Sequence, residues 1–269
     1  INSANETLAS STIEAVSLVL KAGTLTTLTG NVTTTAGAGV DLTATDIRLD
    51  GLTINTTSGN GIVRMNGATR LDADVTITRG TGAVTFTRTV DSRASETNSL
   101  TIDGDNGATI AFQGAVGAGT NGRLGAVTIA TASDVTVSDG MAFNAVSIEQ
   151  VAGTGTTTFG GTVNTNGQID AAGSPANVNG IDITTSAVRF KQAVTTTNGG
   201  AVRIDNAGVL TIDNNANFSV NGKFDQVGNG TTVLGGNIIT ADANIGFNKG
   251  VTLSQGVSLS TGSGLGNIV

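Results

Sequence analysis

Residues 101–119 read TIDGDNGATIAFQGAVGAG, and the tight DGDNG within them offers oxygen donors of the kind a hard cation takes. Calcium binds six to eight such oxygens, which makes Asp103, Asp105 and Asn106 the candidate ligands of a calcium site. The distal glutamate of an EF-hand loop is missing, and the glycine-aspartate nonapeptide of calcium-binding rolls never occurs in tandem. Asp and Asn beside Gly also build ordinary turns, because they tolerate left-handed backbone and bond their own main chain. The turn is the preferred reading, with calcium as the one candidate cofactor.

Paired carboxylates raise glycoside chemistry, which needs two of them about 5 to 10 Å apart. Asp72 and Asp74 fall two apart in an alternating run, with Arg70 and Arg79 nearby, and Asp46 and Asp50 flank Arg48. Sugar-binding clefts, however, are usually floored by Trp or Tyr, and the chain has neither. A mixed-charge solvent face is the preferred reading for both groups. The glycine-rich phrases GNGIVRMNG and GAVGAGTNG lack the Lys-Ser/Thr of a phosphate loop and the helix that should follow one. Threonine blocks such as VTTTAG and GTTTFG evoke ice-binding arrays but lie too far apart for consecutive coils. Thr is simply a good strand former on an exposed face.

Composition removes most other chemistry. With no Cys and no His, the chain has no disulfide or thiol nucleophile, and it lacks the commonest general base and transition-metal ligand. A net charge of −7 argues against a basic nucleic-acid face. No stretch approaches the roughly 20 apolar residues of a membrane span. The reading is therefore non-enzymatic, without nucleic acid or membrane insertion.

The elements that must carry these residues are short strands. Apolar residues alternate over four or five positions and then meet Gly, Asn or Asp, as in DIRLDGLTIN, GAVTIATASDVTVSDG and GAVRIDNAGVLTIDN. That is the strand signature, and it recurs at the spacing expected of sandwiches, barrels or solenoids. One phrase decides among them: a Phe followed four residues later by Val, in FTRTV, FQGAV, FGGTV, FKQAV and FNKGV. The phenylalanines, Phe86, Phe112, Phe159, Phe190 and Phe247, are expected to point inward as core wedges. Their uneven spacing fits coils whose turns absorb length differences. With 39 Gly and only eight aromatic residues, all Phe, the core should be thin and repeated along an axis.

The expected fold is all-β, a right-handed parallel β-helix (β-solenoid) of about 9 to 12 coils, roughly 45 to 60 Å long. Residues 1–24 are assigned to an N-terminal cap or opening strand, and residues 25–269 to solenoid repeats expected to continue beyond the C-terminus. In SSTIEAVSLVLKAG a capping-box pattern competes with strand alternation, and strand is preferred for its β-branched content.

The recurring TF-G-AV-G and VTI phrases, over roughly residues 25–265, resemble the β-strand repeat regions of giant bacterial surface proteins of the filamentous-haemagglutinin and autotransporter-adhesin type. The resemblance implies a right-handed β-helix in a secreted or cell-surface fibre that projects an adhesive tip or builds matrix. The expected role is an extracellular rigid stalk or self-assembling filament. Its partners would be further copies joined end to end, or further coils of a longer chain, together with host or surface glycans. The alternative is a carbohydrate-binding or polysaccharide-cleaving β-helix.

Overall fold

The computed structural model describes residues 1–105, 107–167 and 179–269. The described residues form 31 short strands and one 3-10 turn, Thr57–Gly59. Every named strand pairing is parallel and links one coil to the next, giving a β-solenoid of about 11 turns. At about 4.8 Å per turn the stack is about 50 Å long. Stacked partners are commonly 22 residues apart, as Asp134 and Thr156 are. The separation rises to 31 between Thr165 and Thr196 and to 33 between Glu149 and Asp182, on either side of residues 168–178.

Each coil has three faces, and each face buries columns of residues in register. On the first face one column runs Leu20, Leu42, Met65, Phe86, Phe112, Val137, Phe159, Phe190, Ile212 and Leu234. The second carries Val90, Val116, Phe143, Val163, Val194, Phe218 and Ile238. The third carries Val32, Ile54, Ile77, Ile102 and Ile129. These side chains are almost all withdrawn from solvent. Alternation places every second residue inside, and parallel in-register pairing places like side chains over one another. A one-residue slip would expose the whole column.

The repeated phrase now has a geometric meaning. In FQGAV, Phe112 ends the first face, Gln113 to Ala115 turn the corner, and Val116 opens the second. Gly114 lies against the backbone of Arg88 in the coil below, where a Cβ would overlap main-chain atoms. Phe86, Phe112, Phe159 and Phe190 occupy the same position in this scheme and are at most 2% exposed. Phe247 does not. It pairs with Gln226 on the third face, its Val251 opens the first face, and the ring is only partly buried. FNKGV repeats the letters one face out of phase, because the coil it belongs to is shorter.

All eight phenylalanines of the chain lie in one continuous file of ring contacts. Centroids are 5.1 to 5.8 Å apart from Phe86 through Phe112, Phe143, Phe159, Phe190, Phe218 and Phe224 to Phe247. Two contacts are parallel stacks and four are edge-on, the arrangements that ring quadrupoles favour.

Abundant Asn and Asp are explained at the corners, where backbone N–H groups leave the strand ladders. There the side-chain oxygen of one coil accepts the N–H of the next. Asn31 accepts from Thr53 at 2.8 Å, Asp74 from Ser99 at 2.7 Å and Asp134 from Thr156 at 2.7 Å. Asn217 accepts from Asn237 at 2.9 Å, and Asn237 in turn from Ser258 at 2.7 Å. Each bond removes an orphan donor that the turn would otherwise leave. Residues 1–24 follow the same scheme. Asn2–Ser3 pairs with Leu18–Ala22, Glu6–Ala9 with Leu25–Leu28, and Ile13–Ala15 with Val32–Thr34. Residues 1–15 thus make a first coil in strand conformation, and Leu18–Ala22 opens the second.

Candidate functional site

At the candidate calcium corner, Asp103 ends the strand Leu100–Asp103, and Asp103 and Asp105 are both exposed; Asn106 lies outside the described residues. The corner already has a cation. Arg79, 1% exposed, donates to the carbonyl oxygens of Gly80 at 3.3 Å and Thr131 at 3.1 Å. Burial pushes its pKa down, while Asp103 and Asp105 hold it up. The two carboxylates thus favour the charged form of a buried guanidinium without an ion pair to it among the described residues. Among the described residues no group of three or more acidic side chains is placed to hold a metal ion.

The carboxylate pairs are rearranged relative to the sequence reading. Asp72 and Asp74 do not share a strand, because Val63–Leu71 ends before them. Arg70 grips Asp72 through Nε at 2.5 Å and Nη2 at 3.1 Å, whereas Asp74 caps Ser99. Arg79 lies inside the solenoid, away from both. Asp46 and Arg48 do share the strand Val40–Leu49, and Arg48 stacks on Arg70. With Asp91 they line a cavity of about 230 Å³. Asp50 falls in the following turn, exposed.

Sequence reasoning missed the third face. Glu149 and Asp182 are register partners in adjacent coils. Desolvation first, and Asp182 second, push the Glu149 carboxyl above the usual glutamate range. Asp182 is also held by Arg203 at 2.9 Å, which holds Asp205 at 2.9 Å as well. The signal was present in SIEQV and GIDI, each with an acid directly after an inward isoleucine. Connecting them required the register across residues 168–178, which varies in length from coil to coil.

Another cavity, of about 580 Å³, crosses several coils at the corner after the first face and is lined by Asp139, Lys191, Asp213 and Asn214 among others. Its charges pair off: Lys191 with Asp139 at 2.8 Å and Arg189 with Asp213 at 2.9 Å. The threonine blocks fall on different faces. A separate rank, Thr53, Thr76, Thr101 and Thr128, does stack in consecutive coils, but beside it Asn55, Thr78 and Asp103 are mixed in type.

In the last coil the buried columns come to the surface: Val251 is 37% and Leu253 57% exposed, whereas Leu234 beneath Leu253 is fully covered. The first coil and the bend after it expose Leu8 and Val16, at 70% and 68%. No helix among the described residues is long and apolar enough to cross a membrane. Compared with protein-family models, curated proteins and solved structures, the chain matches none.

Proposed function

We propose that this chain is a non-enzymatic structural segment of an extracellular or cell-surface bacterial protein, serving as a rigid stalk or a self-assembling filament element. The observation that carries this reading is the continuous stack: parallel register links coil to coil through about 11 turns, and a file of eight rings runs through the coils from Phe86 to Phe247. Such a body transmits force along its axis, and each coil depends on its neighbours. The apolar column ends at Leu253 and Val251 also offer a further coil, or a second copy, a matching edge by strand addition. Negative-stain electron microscopy over a range of concentrations tests this. Uniform-width rods that lengthen with concentration support filament assembly, discrete rods of constant length restrict the role to a spacer, and branched or collapsed particles refute both.

A second reading, carbohydrate cleavage, has the register pair Glu149 and Asp182 behind it, since a carboxyl raised by burial next to a second carboxyl group suits acid catalysis. Against it, Asp182 is neutralised by Arg203. Release of reducing ends from a panel of polysaccharides, abolished by Glu149→Gln, would establish it.

A further inference from the structure

The glycine-rich phrase GAVGAGTNG, which fails as a phosphate loop, builds a wall. Val116 and Leu124 hold successive inward positions of the second face, stacked on Phe143 and Ala145, so the residues between them bulge outward. Gly117, with φ +61°, and Asn121, with φ 56°, supply the left-handed turns of this bulge. Asp91 secures it by accepting the Gly119 N–H at 2.8 Å. Behind the bulge lies a groove of about 550 Å³, whose polar lining includes Thr97, Asn121, Asn144 and Asn166, with Glu96, which is already held by Arg93 at 3.5 Å and by the Asn98 amide.

Arg123, the last residue of the bulge, lines this groove and is fixed by neutral oxygens of the next two coils. Nη1 donates to the Ala145 and Asn164 carbonyls, both at 2.8 Å, and Nη2 donates to Asn164 Oδ1 at 2.9 Å. Among the described residues it has no carboxylate partner. Burial alone pushes its pKa down, and no acid opposes the shift. Among the described residues three of its five N–H groups have acceptors, which leaves the Nε–H and the second Nη2–H. Elsewhere in this protein that same edge grips acids: Arg64 holds Asp41, Arg70 holds Asp72 and Arg189 holds Asp213 through Nε and Nη2. A half-buried cation without a counter-charge is unfavourable unless something supplies one, and a planar fork matches a carboxylate.

We propose that this groove binds a carboxylate-bearing saccharide, with the acid group on the Nε/Nη2 edge of Arg123 and the amides of Asn121, Asn144 and Asn166 meeting ring hydroxyls. The groove volume lies in the range of small-ligand sites; with no Trp or Tyr to floor it, recognition falls to the Arg123 fork and the amides. The protein's net charge of −7 repels polyanions at long range, so the acid group has to be held locally by the Arg123 fork. This inference is independent of the filament reading, since one groove can serve a single rod or a fibre.

Isothermal titration calorimetry with digalacturonate, the neutral digalactose and acetate tests it. Digalacturonate should bind, with the two controls at least about tenfold weaker. Arg123→Lys, which keeps the charge and loses the fork, should weaken binding about tenfold. Because Arg123 also ties three coils together, the exposed groove residue Thr97 supplies a second variant: Thr97→Trp should block binding with an unchanged melting curve. Absence of digalacturonate binding, equal binding of the neutral sugar, or acetate bound as tightly as the disaccharide would each overturn the proposal. Wild-type affinity in both variants would also overturn it.

Discussion

Phe159 sits midway along the ring file, 2% exposed, stacked on Phe190 at 5.1 Å and edge-on to Phe143 at 5.8 Å. Truncation to Ala removes the ring from a site whose neighbours are held in place by the ladders above and below, so the cavity cannot collapse. Buried Phe→Ala changes of this kind cost about 3–5 kcal/mol, and the loss of two ring contacts places Phe159→Ala toward the upper end. Phe247, partly buried and with one ring neighbour at 5.5 Å, should lose roughly half as much when truncated, because less apolar area leaves contact. Urea unfolding followed by circular dichroism gives both values. Limited proteolysis should place the first cuts of Phe159→Ala within its own or adjacent coils, since coupling in a solenoid is between nearest neighbours. A loss below about 1 kcal/mol at Phe159 would refute the claim that the file is a continuous core.

Further outcomes follow from the corners and the charges. Asn237→Ala removes the acceptor for the Ser258 N–H and should lower stability by about 1 kcal/mol, whereas Asn237→Asp, which keeps an acceptor, should stay close to wild type by the same chemical melt. Glu149 has a folded pKa raised by burial and by Asp182, so ionising it opposes folding. Stability from this group is full below the ordinary glutamate value and falls as pH rises through the raised one. Glu149→Gln should therefore stabilise the protein at neutral pH and lose that advantage in acid, as read from melting temperatures across pH. Calcium and chelator should leave the wild-type melting temperature unchanged, because Arg79 already faces Asp103 and Asp105; a calcium-dependent rise would restore the ligand reading of that corner.

Strands, their parallel stacking and the core role of Phe86, Phe112, Phe159 and Phe190 were legible because alternation and turn residues are local signals, and FxxxV repeats in phase four times. Phe247 also packs against the core, but from the third face, because equal letters do not guarantee equal phase when coil length varies. Asp72 and Asp74 were misread for a related reason: the strand ends at Leu71, and only the Arg70 fork shows which carboxylate is engaged. Arg79 and Arg123 were invisible as buried cations. Their partners lie one or two coils away, at Thr131 and Asn164, and nothing along the chain marks an arginine as pointing inward. The Asn-rich corners, by contrast, explain a composition that sequence alone could only attribute to turns.

Stretching a single molecule from end to end tests the mechanical claim most directly. With stacked partners commonly 22 residues apart, peeling one coil releases about 75 Å of extended chain, so the account predicts a series of force peaks spaced by about that length or its multiples. Smooth extension at low force, without peaks, would show that the stack bears no load and would contradict a role as stalk or filament.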